Sequence, residues 1–180
     1  MIKKLLCVSS LLLLGTTAVA SFMPSPYVGG GIGIITNNDT RFGVFRGLPL
    51  RFFAGYGGII NTRLYLAGEL GATVVTGELA NNSYGLETNT NYMVSIIPGF
   101  MLNDNTLGFV RVGALKTWFK DPKEGSFGSR LGFGLETTVM PNLTVRGEYD
   151  LTIYQAIHRG GMKRSPRSDG GSIDLIYRFV

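Results

Sequence analysis

The last nine residues, 172–180, read Ser-Ile-Asp-Leu-Ile-Tyr-Arg-Phe-Val and constrain the fold more than any other stretch. Ile173, Leu175, Tyr177 and Phe179 fall on one face of a period of two, and Ser172, Asp174, Ile176 and Arg178 fall on the other. That is a strand with one apolar and one mainly polar face. A chain ending on such a strand leaves backbone N–H and C=O groups in need of a partner. Pairing with the first strand closes a barrel and abolishes both edges.

Seven further strands are expected, over residues 27–35, 50–60, 63–75, 92–102, 106–119, 129–140 and 143–157. The first is glycine-rich, which weakens it but permits close approach and coiling. The fourth contains Pro98, which a strand tolerates at a bulge or irregularity. The connections alternate: 36–49, 76–91, 120–128 and 158–171 are long, whereas 61–62, 103–105 and 141–142 are tight turns. An up-and-down barrel has this pattern when one rim faces the outside and the other the periplasm. Strands of about nine to fifteen residues suit a tilted crossing that needs roughly nine to eleven.

The first twenty residues fit no strand. Lys3 and Lys4 precede an apolar run from Leu5 to Leu14, and Ala18-Val-Ala20 is a small-x-small cleavage motif. The run is too short for a spanning helix, and Cys7 opens it, where a lipoprotein anchor would need the cysteine at its end. Residues 1–20 are therefore expected to be a cleaved signal peptide, and 21–180 one barrel domain. Removing the leader removes the one cysteine and leaves fifteen basic against twelve acidic side chains. That balance is no nucleic-acid signature, and stability must come from pairing and packing.

Alternation alone does not say which face points outward; lysine usage does. After the leader, the lysines are Lys116, Lys120, Lys123 and Lys163, all in loops or near strand ends, whereas mid-strand charges are arginines and carboxylates. Such pairs suit an enclosed space. The polar face is expected to hold Arg51, Arg63, Arg111, Arg130, Arg146 and Arg178 against Glu69, Glu136, Glu148, Asp150 and Asp174. That near-neutral set fits the lumen of an eight-stranded barrel, which side chains just fill. The members expected nearest mid-barrel are Glu69, Arg146 and Glu148, and Arg146→Ala is expected to cost more stability than Arg159→Ala. The apolar face then meets lipid, and Tyr27, Tyr56, Tyr92, Trp118, Phe119, Tyr177 and Phe179 form an aromatic girdle.

On Tyr27-Val-Gly-Gly-Gly-Ile-Gly33, Leu143-Thr-Val-Arg-Gly-Glu-Tyr149 and the ending Tyr177-Arg-Phe179, the chain resembles the small OmpA/OmpX-like and opacity-protein-like outer-membrane barrels. The resemblance covers essentially all of residues 21–180. It implies an outer-membrane location in a Gram-negative bacterium and a closing strand, with Tyr177 and Phe179, read by the outer-membrane insertion machinery. Val180 after Phe179, and Asp174 where a glycine is usual, depart from that signal. No periplasmic peptidoglycan-binding domain is expected to follow.

Little of the chain speaks for chemistry. His158 has no serine and carboxylate arranged around it as a relay, and one histidine without a cysteine makes no metal set. No catalytic residue, cofactor or metal is therefore expected, and the competing readings are a lipid-modifying barrel enzyme and a narrow pore. The stretch 158–169 carries Arg159, Lys163, Arg164 and Arg167 against Asp169, a basic surface for lipopolysaccharide phosphates or anionic host glycans. The leading expectation is a monomeric, structural, surface-contact barrel.

Overall fold

The computed structural model describes residues 22–39, 43–79, 87–119, 125–159, 162–164 and 166–179. The expected leader, with Cys7 and its cleavage motif, lies outside the described residues. Ten strands follow in order: β1 (Ser25–Asp39), β2 (Gly43–Asn61), β3 (Leu64–Glu78), β4 (Thr88–Asn103), β5 (Thr106–Phe119), β6 (Gly125–Met140), β7 (Leu143–Tyr154), β8 (Ile157–Arg159), β9 (Met162–Arg164) and β10 (Arg167–Arg178). Eight of them close a barrel in the order β1-β10-β7-β6-β5-β4-β3-β2, and β8 and β9 form a separate hairpin.

The closing strand does pair with the first, antiparallel, from Tyr27 opposite Arg178 to Asn38 opposite Arg167. The Phe179 N–H donates to the Pro26 carbonyl at 3.0 Å just below the ladder. Following register partners once round, from Thr36 through Asp169, Leu151, Leu131, Val112, Ile96, Gly68 and Tyr56, returns to β1 at Pro26, ten residues lower. That offset is the shear of the barrel. It requires strands tilted by roughly 35–45°.

Most strands run further than the sequence pattern suggests, although β5 keeps its expected bounds and β7 ends at Tyr154, short of the expected 157. Only residues 40–42 separate β1 from β2, and β10 begins at Arg167, so much of the first and last expected loops is ladder. Thr and Asn, which read as loop residues, here continue the alternation: Asn37 is buried and paired opposite Phe45. Pro49 sits inside β2, at a register shift between Leu48 and Pro49, where a missing N–H costs no ladder bond. Pro98 differs: the β4–β5 partners skip Ile97 and Pro98 and resume at Gly99 in the same register, so no bulge forms there.

The two faces separate as their chemistry demands. Outward positions present Ile32, Phe52, Leu70, Ile96, Val112, Leu131, Leu151 and Ile173, all exposed. Inward positions bury the arginines and carboxylates. This inversion of a water-soluble protein is stable only where the outside is apolar, since mid-bilayer charge on the lipid face costs about 2–4 kcal/mol. Two expected girdle residues lie elsewhere: Tyr27 and Phe119 are buried in the lumen, because they share the parity of Gly29 and Arg111. Tyr56, Tyr92, Tyr177 and Phe179 are exposed, with Tyr92 edge-on to Trp118 at 5.5 Å and Tyr177 to Phe179 at 5.2 Å. Arg63 is not on the lumen face. It lies in the exposed turn between β2 and β3.

Candidate functional site: the lumen column and the long-loop rim

The lumen is filled by one connected set of ion pairs. Starting from the short-turn end, Arg178 donates to Glu136 Oε1 at 2.7 Å and to the Tyr65 hydroxyl at 3.0 Å. Glu136 Oε2 accepts from Arg146 Nε at 3.0 Å and Nη2 at 2.8 Å, and Thr144 donates to Oε1 at 3.1 Å. Arg146 Nη1 reaches across to Glu69 Oε2 at 2.8 Å. Glu69 also accepts from Arg111 and, at 3.1 Å, from the Tyr27 hydroxyl. Arg111 forks onto Glu148 at 2.7 and 3.1 Å and donates to Ser95 at 2.8 Å.

Beyond Glu148 the pairing loosens toward the long loops. Arg51 meets Glu148 at 3.3 Å, Asp150 at 3.7 Å and Asp174 at 3.9 Å, and donates to Ser172. Arg130 lies 3.5 Å from Asp150 and donates to Thr152 at 3.1 Å. The column thus joins Arg51, Glu69, Arg111, Arg130, Glu136, Arg146, Glu148, Asp150, Asp174 and Arg178, five arginines against five carboxylates, all buried. Glu69, Arg111, Arg146 and Glu148 are interlinked at its middle.

Sequence reasoning missed the aromatic faces of this column. The Arg146 guanidinium lies 5.1 Å from the ring centres of both Phe53 and Phe109. That of Arg178 lies 4.8 Å from Tyr27, 5.0 Å from Phe22 and 5.6 Å from Tyr65. A guanidinium can lie against a ring face while its in-plane N–H groups still fork onto carboxylates, which suits arginine to this role. Room for such large groups comes from the glycines. A Cβ on Gly31 would strike the backbone at Ile173 and Asp174, and one on Gly132 would stand 2.7 Å from Glu148 Oε1.

Apolar side chains stop both ends. Phe22, Tyr65, Ile97, Met101, Leu107 and Ile176 belong to a buried cluster at the short-turn end. Met93, Leu115, Phe119 and Tyr154 form one at the long-loop end, and Ile35, Phe45 and Val75 another. Among the described residues no grouping of three or more His, Cys, Asp or Glu is placed to hold a metal.

The long-loop rim holds the basic stretch. Arg167 opens β10 and is exposed, so it belongs to the barrel wall and not to a loop. Arg159, Lys163 and Arg164 occupy the β8–β9 hairpin, whose register sets Ile157 opposite Arg164, His158 opposite Lys163 and Arg159 opposite Met162. His158 is thus a hairpin residue. A further cation, Lys116, sits on the outer face of β5 near this rim, its Nζ 5.0 Å from the Trp118 ring and 5.3 Å from that of Phe127.

A family model of the outer membrane protein beta-barrel domain matches residues 5–179. Comparison with the curated proteins finds no match. Among solved structures, the attachment invasion locus protein Ail of Yersinia pestis aligns with a TM-score of 0.53 at 16% identity, covering 87% of this chain and all of Ail. Neisserial surface protein A aligns with a TM-score of 0.55 at 15% identity, covering 86% of this chain and 97% of that protein. Ail in complex with the heparin analogue sucrose octasulfate aligns at 0.50 and 16% identity, covering 87% of this chain and 100% of that one. At such identities the likeness is one of fold.

Proposed function

We propose, for a chain that belongs to the outer-membrane β-barrel family and resides in the outer membrane of a Gram-negative bacterium, that its work is done at the cell surface. The barrel is a structural platform, and its long-loop rim faces outward to contact phosphate- or sulfate-bearing glycans, those of lipopolysaccharide or of a host. The observation that carries this reading is the filled lumen. Among the described residues a neutral ion-pair column with apolar clusters toward both ends fills the lumen, which favours the surface reading over a pore or an interior catalytic site. What remains for recognition is the rim, with Arg159, Lys163 and Arg164 on the β8–β9 hairpin and Arg167 beside it. Guanidinium and ammonium groups bind such anions by charge-assisted hydrogen bonds, and salt screens the contact.

Tyr177 and Phe179, adjacent and outward on the closing strand, are the feature the insertion machinery would read during assembly. Residues 1–20 would be removed on export, and the barrel would act as a monomer.

Binding of the refolded barrel to lipopolysaccharide and to sucrose octasulfate, the analogue bound in the Ail complex, tests the reading across a salt series. The comparison protein carries Arg159→Ser, Lys163→Ser, Arg164→Ser and Arg167→Ser. Binding that weakens with salt and is lost in the quadruple variant supports the basic rim. Equal weak binding by both proteins removes it. Sustained conductance steps in planar bilayers would instead establish a pore and overturn the filled-lumen argument.

A further inference from the structure

We propose that the lumen contains a built water site on the long-loop side of the ion-pair column, held by the side-chain amide of Asn91. Asn91 is only 1% exposed, yet neither its Nδ2 nor its Oδ1 meets a hydrogen-bond partner in the protein. Register places it between two hydroxyl residues, Thr73 on β3 and Thr117 on β5. The Thr117 hydroxyl is also fully buried and unpartnered. Two adjacent orphaned groups on one patch of wall are rare in a native interior, where nearly every buried polar atom is satisfied.

Asn91 and Thr73 face a cavity of about 20 Å³ whose lining includes Arg51, Arg130, Asp150 and Ser172, while Thr117 stands beside Asn91 outside that lining. A buried water needs at least about 10–15 Å³ and two to four polar partners. The cavity supplies both. Asn91 offers a donor and an acceptor side by side, Asp150 accepts, and Arg130 donates.

Charge decides between water and an ion. An anion drawn to Arg130 would sit against the Asp150 carboxylate only 3.5 Å from that guanidinium, and a cation on Asp150 would meet Arg51 and Arg130. The column as a whole carries five charges of each sign. A neutral dipole that donates and accepts fits this environment, and a monovalent ion does not. The site places one solvent molecule among the polar side chains on the long-loop side of the column, below the apolar cluster of Met93, Leu115, Phe119 and Tyr154.

The test is a high-resolution crystal structure of the refolded barrel, grown with and without bromide, together with the Asn91→Leu and Thr73→Val variants. The expected result is one oxygen-sized peak within hydrogen-bond range of the Asn91 amide, unchanged by bromide. It should be absent in Asn91→Leu and displaced or weakened in Thr73→Val, with the strand register intact. A bromide anomalous peak at that position overturns the proposal in favour of an anion site. An Asn91 amide bonded directly to Arg130 or Asp150, with no peak between them, overturns it outright. If Asn91→Leu fails to fold, Thr73→Val and the bromide comparison still decide.

Discussion

Toward the short turns, Arg146 and Arg178 each bond a carboxylate and lie against two or more aromatic rings. Toward the long loops, Asn91 and Thr117 are as deeply buried and meet no protein partner. Both regions belong to the same eight strands, so the difference lies in the side chains the strands carry inward. The lower lumen is a densely paired network in which removing Arg146 or Glu136 strands several partners at once, and Arg178, whose Nε and Nη1 meet no acceptor, is held there by Glu136, Tyr65 and the rings around it. The upper lumen tolerates loose pairing, because small hydroxyl and amide groups leave room for solvent. The barrel is thus cross-braced at one end and adaptable at the end nearest its recognition surface.

The largest expected effect comes from breaking the braced end. Arg146→Ala would leave the buried Glu136 and Glu69 short of their principal counter-charge. Breaking a buried pair in this way costs about 3–5 kcal/mol. Arg167→Ala, at an exposed position of β10, should stay within about 0.5 kcal/mol. Urea unfolding midpoints of the two variants refolded in the same detergent provide the check. Matching midpoints would mean that the column contributes nothing beyond filling space.

A smaller effect tests whether glycine makes the column possible. Gly31→Ala places a methyl into the backbone at Ile173 and the carboxylate of Asp174, and such overpacking costs about 1–3 kcal/mol. Gly147→Ala faces outward with nothing within 4 Å of the added atom and should be neutral or slightly stabilising. The opposite ranking would refute the steric account. Asn91→Leu, in the adaptable region, should change stability by no more than about 1 kcal/mol, since an apolar group of similar shape replaces both members of an amide–water contact. A loss as large as that of Arg146→Ala would show the two ends to be equally braced.

The contrast between the two ends also marks what the sequence made legible. Alternation in 172–180 correctly implied closure against the first strand, and arginine in mid-strand with lysine at the ends implied which face is lipid. Both follow from backbone periodicity and composition, which act locally. Tyr27 was misplaced although its parity was readable: Val28, Ile32 and Ile34 define the outer face of β1, so Tyr27 has to point inward. Strand ends were not legible, because Thr36 and Asn37 look like loop residues and are held in the ladder only by partners far away in sequence, Asp169 and Ser168. The aromatic faces of Arg146 and the orphaned Asn91 depend on which residues meet across the lumen. The shear of the closed barrel sets those meetings, and no single strand reveals it.

The smallest expected effect on stability should accompany the largest on recognition. The β8–β9 hairpin pairs only with itself, whereas all eight barrel strands, including β10 from Arg167 onward, have their own neighbours. Arg159, Lys163, Arg164 and Arg167, replaced together by serine, are none of the ten side chains that make up the ion-pair column. The unfolding midpoint and the gel migration of the unboiled barrel should therefore stay where they are, within about 0.5 kcal/mol. Binding to sulfated and phosphorylated glycans should fall at low salt and converge with the parent protein at high salt, where a Debye length of about 3 Å at 1 M screens the rim charges. A quadruple variant that unfolded early would couple the hairpin to the barrel and erase the distinction between braced and adaptable ends. One that stayed folded and kept its salt-sensitive binding would move recognition off the hairpin, with Lys116 and its two aromatic neighbours the next basic group on that rim to change.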